Sequence, residues 1–157
     1  MARKPDRRSL TETTVRLATT LSASDSLVSL VLKGHLLIEE QLYTLLCNTV
    51  RDQRSLEEGN LRFSHLFTFA KSLYFTRDGG WLWEAVARLN SLRNALAHNL
   101  EPPQLTQKIE AFLAVVEESP IYPRAARTDR DDRLCNAIAF THGVLRGLRA
   151  GREGRFD

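Results

Sequence analysis

Hydrophobic positions recur every three or four residues through most of the chain, the period of a helix rather than a strand. Leu10, Thr14, Leu17 and Leu21 follow Ser9 and Glu12, which have capping-box spacing, and predict a short helix over 10–22. Ser24-Asp25 then opens the longest helix, 25–52, along which Leu27, Val31, Gly34, Ile38, Leu42, Leu45 and Thr49 form one apolar or small stripe. Gly34 costs up to about 1 kcal/mol against alanine in a helix interior, so its place there predicts the close approach of a second helix. Arg51 to Asn60 is polar and reads as a loop. Leu66, Phe69, Ala70 and Leu73 mark a third helix over 61–75, whose Phe63, Phe67 and Phe69 are expected in the core rather than as a platform for bases. Thr76-Arg-Asp-Gly-Gly80 is a turn built from residues that tolerate positive φ. A fourth helix begins near Trp81 with Leu82, Val86, Leu89, Leu92 and Leu96 toward the core, and stops before Pro102-Pro103. Leu105, Ile109, Phe112 and Val116 predict helix 103–118. Beyond the break at 119–123, Thr128 is the expected cap of a last helix, with Asp129, Asp131 and Asp132 in its first turn. Leu134, Ile138, Thr141, Leu145 and Leu148 carry that helix until Gly151 and Gly154 let it fray. The fold class is therefore all-α: an up-and-down bundle of four to five main helices plus a short N-terminal helix. It forms one domain over 10–150, between a basic tail (1–9) and a frayed tail (151–157).

Composition narrows this picture. With 43% hydrophobic and 26% charged residues the chain is globular rather than disordered, and no apolar run approaches the roughly 18 residues of a membrane span. The basic start lacks the apolar core and small-residue cleavage site of a signal peptide, so a cytoplasmic location without membrane association is expected. Cys47 and Cys135 sit inside predicted helices without metal-knuckle spacing and are expected as buried free thiols, with neither disulfide nor zinc. The net charge of +3 is too small to establish nucleic-acid binding by itself. Its distribution says more: Arg3, Lys4, Arg7 and Arg8 crowd one end, and Arg146, Arg149, Arg152 and Arg155 the other. Such clusters can neutralise phosphates or simply be solvated tails.

The candidate chemistry lies at the end of the fourth helix, in Asn90-Ser-Leu-Arg93-Asn94-Ala-Leu-Ala97-His98-Asn99. On a helical wheel Arg93 falls about 40° from Leu89, at the edge of the core stripe, so it is expected half-buried and in need of an acidic or phosphate partner. Ala87, Asn90, Ser91, Asn94 and His98 share another face that carries no Lys, Glu or Asp, as a surface that meets a second subunit or a ligand would. Arg93 and His98 lie about 140° apart on the wheel, so either Arg93 reaches around or a second chain completes the site. On the long helix His35 and Glu39 stand four apart. Two ligands are not a metal site, and the pair reads as a surface or interface hydrogen bond. Glu39 or Glu40 is the expected positioning partner of Arg93.

Arg93-Asn94-Ala-Leu-Ala97-His98 resembles the Arg-x4–6-His motif of the HEPN superfamily, in its Arg-Asn-x-x-Ala-His form on a late helix of an all-α bundle. The architectural likeness covers about 25–150. It implies a homodimer with motif helices adjacent, forming one cleft with two arginines and two histidines. It further implies an endoribonuclease that needs no metal or other cofactor, with RNA as substrate. Many members are toxins of toxin–antitoxin or phage-defence systems, which implies an antitoxin protein as partner. The implied catalytic set is Arg93, Asn94 and His98, supported by Asn90, Glu39 and Glu40. A weaker similarity to the mannitol-operon repressor family implies the alternative, a non-catalytic binding or regulatory protein.

Overall fold

The computed structural model describes residues 16–17, 19–22, 25–99, 102–123 and 129–153, with backbone alone for 149–153. The described residues form six α-helices and no strand: α1 Leu27–Cys47, α2 Gln53–Glu58, α3 Phe63–Tyr74, α4 Gly80–His98, α5 Leu105–Glu117 and α6 Arg130–Glu153. The class is all-α, as the periodicity predicts. Of the expected helix 10–22, residues 16–17 and 19–20 are helical and Leu21 N–H donates to Leu17 O; the remainder, the basic N-terminal residues, Thr128 and Arg155 lie outside the described residues.

Each helix boundary has a local cause. Ser26 caps α1, accepting from Ser29 N–H, while the carboxylate of Asp25, read as part of the start signal, is taken by Lys33 Nζ at 2.9 and 3.0 Å; Ser24 lies outside the described residues. That ion pair holds the Asp25 carboxyl below its usual range. Helix α1 ends at Cys47, five residues early, where Asn48 Nδ2 and Thr49 Oγ1 donate to the Thr44 and Leu45 carbonyls. The expected polar loop then contains α2, started by Asp52 accepting from Arg54 N–H. The Asp-Gly-Gly turn uses no positive φ: Arg77–Gly79 is a 3-10 turn capped by Thr76 Oγ1, and Gly80 already begins α4. Gln104, at φ 65°, makes the left-handed step that starts α5 at Leu105 rather than 103. Asp129, expected inside the first turn of α6, is instead its cap, accepting from the N–H groups of Asp131 and Asp132 at 2.9 Å. The helix runs through Gly151 to Glu153.

Helix α1 is central, packing against α3, α4 and α6, while α5 lies against α4 and α6. Val31, Ile38, Leu42 and Leu45 of α1 meet Leu82, Val86, Leu89 and Leu92 of α4, Ile109, Phe112 and Val116 of α5, and Leu134, Ile138 and Leu145 of α6 in one core. Gly34 lets α6 approach: a Cβ there would lie 2.8 Å from both Cδ1 and Cγ2 of Ile138. Arg133 of α6 clamps α5, donating Nε and Nη2 to the Glu117 carboxylate at 2.8 and 2.9 Å. On α3, Phe63 and Phe67 pack on the core but Phe69 is 49% exposed, which corrects its assignment to the core. Cys47 and Cys135 are free but half-buried rather than buried.

Candidate functional site

The five leucine and valine positions predicted to seat α4 are all buried, and this fixes the orientation of the motif. Arg93 is half-buried at the edge of the stripe. Its guanidinium donates Nη1–H to Asn94 Oδ1 at 3.0 Å. Asn94 and His98 are exposed one turn apart on the same ridge, and His98 is the last residue of α4. Arg93 and His98 are separated by about 7.5 Å along the axis and about 140° around it.

The expected acidic partner is absent: among the described residues no carboxylate forms an ion pair with Arg93. Glu40 points away and pairs with Arg16 at 2.9 Å, a correction to its place beside Arg93. Glu39 lies instead near His35, with Oε2 3.9 Å from Nδ1, beyond hydrogen-bond range. Helix geometry explains the divergence, since successive residues turn by about 100° and cannot serve one target.

Asn90 is also placed differently from the sequence reading. It is half-buried and turned toward α1, where its Oδ1 lies 3.0 Å from His35 Nε2. His35 itself is buried, not a surface residue, and its ring lies 4.5 Å from that of Phe63, centroid to centroid. Burial pushes the His35 imidazole below its ordinary value; the Asn90 bond and Glu39 act in the opposite sense, and Arg93 reinforces the depression. The sequence signal for His35 was its four-residue spacing from Glu39, but nothing in the sequence pairs it with Asn90, 55 residues away.

Of the four histidines, His35 and His142 are buried whereas His65 and His98 are exposed, and only His98 lies on the motif helix. The exposed face of α4 comprises Ala87, Ser91, Asn94 and His98, fringed by the Glu84–Arg88 ion pair and by Lys108, whose Nζ donates to Ser91 Oγ. Leu32 and Leu36, one turn apart on α1, are exposed as well, Leu36 by 59%. Among the described residues no three His, Cys, Asp or Glu side chains gather as metal ligands, and no helix is long and apolar enough to cross a membrane. The motif helix thus offers a half-buried guanidinium hydrogen-bonded to an amide, with one exposed imidazole a turn beyond. No family model, curated protein or solved structure matches the chain.

Proposed function

We propose that the chain is a metal-independent endoribonuclease of HEPN type, whose Arg93, Asn94 and His98 form half of a site completed by a second copy. It acts in the cytoplasm as the toxin of a toxin–antitoxin or defence system. The observation that carries this is the Arg93–Asn94 hydrogen bond at the half-buried edge of α4, with His98 exposed one turn beyond Asn94.

Cleavage of RNA without metal needs a base for the 2′-hydroxyl proton and an acid for the leaving 5′-oxygen. The 2′-oxygen attacks phosphorus as its proton passes to a neutral imidazole. The P–O5′ bond breaks, and O5′ takes a proton from an imidazolium, leaving a 2′,3′-cyclic phosphate and a 5′-hydroxyl. Histidine titrates in the range where both roles are open, and two copies bring two exposed His98 rings. Arg93 holds the phosphate and meets the charge that grows on its oxygens, while Asn94 fixes the guanidinium.

The purified protein is expected to cleave single-stranded RNA in EDTA, with cyclic phosphate ends. His98→Ala should abolish cleavage while leaving the melting temperature unchanged, because the ring is exposed. A variant as fast as the parent overturns the reading. That the motif helix of each chain carries only one histidine, His98, favours a second reading, a non-catalytic binding or regulatory protein of mannitol-repressor type. In that case RNA or a partner binds without turnover, and binding survives His98→Ala.

A further inference from the structure

A histidine at position 35 needs a reason. The position is 4% exposed within the leucine-rich packing of α1, where an apolar side chain would bring no desolvation penalty. Three helices supply its surroundings: Glu39 on its own helix, Phe63 on α3, and Asn90 with Arg93 on α4. The charged groups it feels are Glu39 and Arg93, while α3 contributes an uncharged ring.

The two ring nitrogens face different demands. With Asn90 Oδ1 accepting, Nε2 carries the hydrogen, and in a neutral ring the Nδ1 lone pair is left toward the Glu39 carboxylate. A second proton at Nδ1 would complete a pair with Glu39 but set an imidazolium against Arg93. With the Asn90 amide turned over, Nδ2–H donates to Nε2 and the ring proton moves to Nδ1, so in either orientation the amide is bonded to the ring. Asn90 is one turn before Asn94 and three residues before Arg93, so what holds Asn90 holds the inner edge of the motif.

We infer that His35 is the positioning residue of the Arg93 site: its hydrogen bond to Asn90, three residues before Arg93 on α4, fixes where that helix presents the guanidinium. This deepens the ribonuclease reading and rests on it for the chemistry, whereas the coupling of His35 to α4 rests on the Asn90 hydrogen bond. His35 does not touch the substrate.

Two measurements on the full chain keep these apart. The first follows the Arg93 Nε–Hε resonance by NMR as pH is varied. In the parent it should move as His35 titrates, and in His35→Leu and His35→Gln that movement should vanish. An Arg93 resonance indifferent to both substitutions overturns the proposal, whether or not the chain cleaves RNA. The second is turnover of labelled single-stranded RNA in EDTA. His35→Leu should lower kcat about 10- to 100-fold, as misplacement of a catalytic group does, with KM within about two-fold of the parent. His35→Gln keeps an amide able to pair with Asn90, so it should recover most of that loss. A Leu variant with parental kcat overturns the proposal. If the parent cleaves nothing, the ribonuclease reading fails and the resonance decides the role of His35. If His35→Leu does not fold, Asn90→Ala breaks the same bond from the half-buried end and is judged by the same two readouts.

Discussion

Gly34→Ala is the sharpest test of the packing that seats α1 on α6. The added Cβ would stand 2.8 Å from Cδ1 and Cγ2 of Ile138 and 3.4 Å from its Cγ1, against the roughly 3.5–4.0 Å of an ordinary carbon contact. Turning χ2 of Ile138 moves Cδ1 alone; freeing Cγ2 needs a change of χ1, which a β-branched residue in a helix resists. The residue is fully buried, in an interior packed about as densely as an organic crystal. The two helices must therefore move apart. Overpacking of this kind costs about 1–3 kcal/mol, and the better helix propensity of alanine returns at most about 1. The net expectation is a loss of about 1–2 kcal/mol, or roughly 2–8 °C in Tm for a chain of this length.

Gly143→Ala supplies the control on the exposed side of the same helix, α6, because a Cβ there meets nothing within 4 Å. It should gain about 0.5–1 kcal/mol from propensity alone. Thermal and urea unfolding followed by circular dichroism would read both. In an Ile138→Ala background, itself costing about 2–5 kcal/mol, the Gly34→Ala penalty should disappear, exposing the coupling in a double-mutant cycle. If Gly34→Ala raises Tm as Gly143→Ala does, close approach is not why glycine stands at 34.

Two further outcomes are expected. His35 and His142 are both held below the ordinary histidine value of 6.5, chiefly by burial. The unfolded chain therefore takes up these protons first, so stability is complete above that value and falls as pH drops through it toward the folded values. The urea midpoint should fall from about pH 7.5 to about pH 5.5, less so in His142→Gln, and a midpoint flat across that window contradicts the burial of neutral imidazoles. The half-site reading expects light scattering to give twice the 17.8 kDa of one chain, and Ala87→Arg, on the exposed face of α4, to lower that mass without unfolding the protein. A parent that is monomeric at high micromolar concentration removes the composite site.

The parts of the fold legible in the sequence were those in which one stripe of side chains had one direction to face. Leu82, Val86, Leu89, Leu92 and Leu96 alternate with polar residues, so the wheel itself located the core and put Arg93 at its edge. Gly34 signalled a close approach because nothing local required a glycine there. Helix α3 was harder to orient at its margin: Ser64, His65, Thr68, Lys71 and Ser72 mark its outer face, but the apolar Phe69 and Leu73 lie beside that face. The inner stripe runs through Phe63, Leu66, Phe67 and Ala70, leaving Phe69 outside, and only the positions of neighbouring helices decide this. Helix α2 buries no residue, so it had no apolar period to find and is held by its Asp52 cap. Asp25 could cap or pair, and the competition was won by Lys33, eight residues away.

Glu39 and Glu40 mark the limit most clearly, and they lead back to the site. As neighbours in sequence they were interchangeable candidates for one arginine. A helix turns them by about 100°, enough to divide them between two seams. Glu40 goes to Arg16 and contributes its charge near the buried His142, on the side of α1 that meets α6. Glu39 goes toward His35, on the side that meets α4. His35 thus has Glu39 and Arg93 in its field and His142 has Glu40 with Arg16 and Arg146, but among the described residues only His35 has an amide from another helix bonded to its ring. That amide belongs to the motif helix. A polar residue read as part of the outward face, Asn90, is therefore the link through which the core of one chain reaches its candidate site.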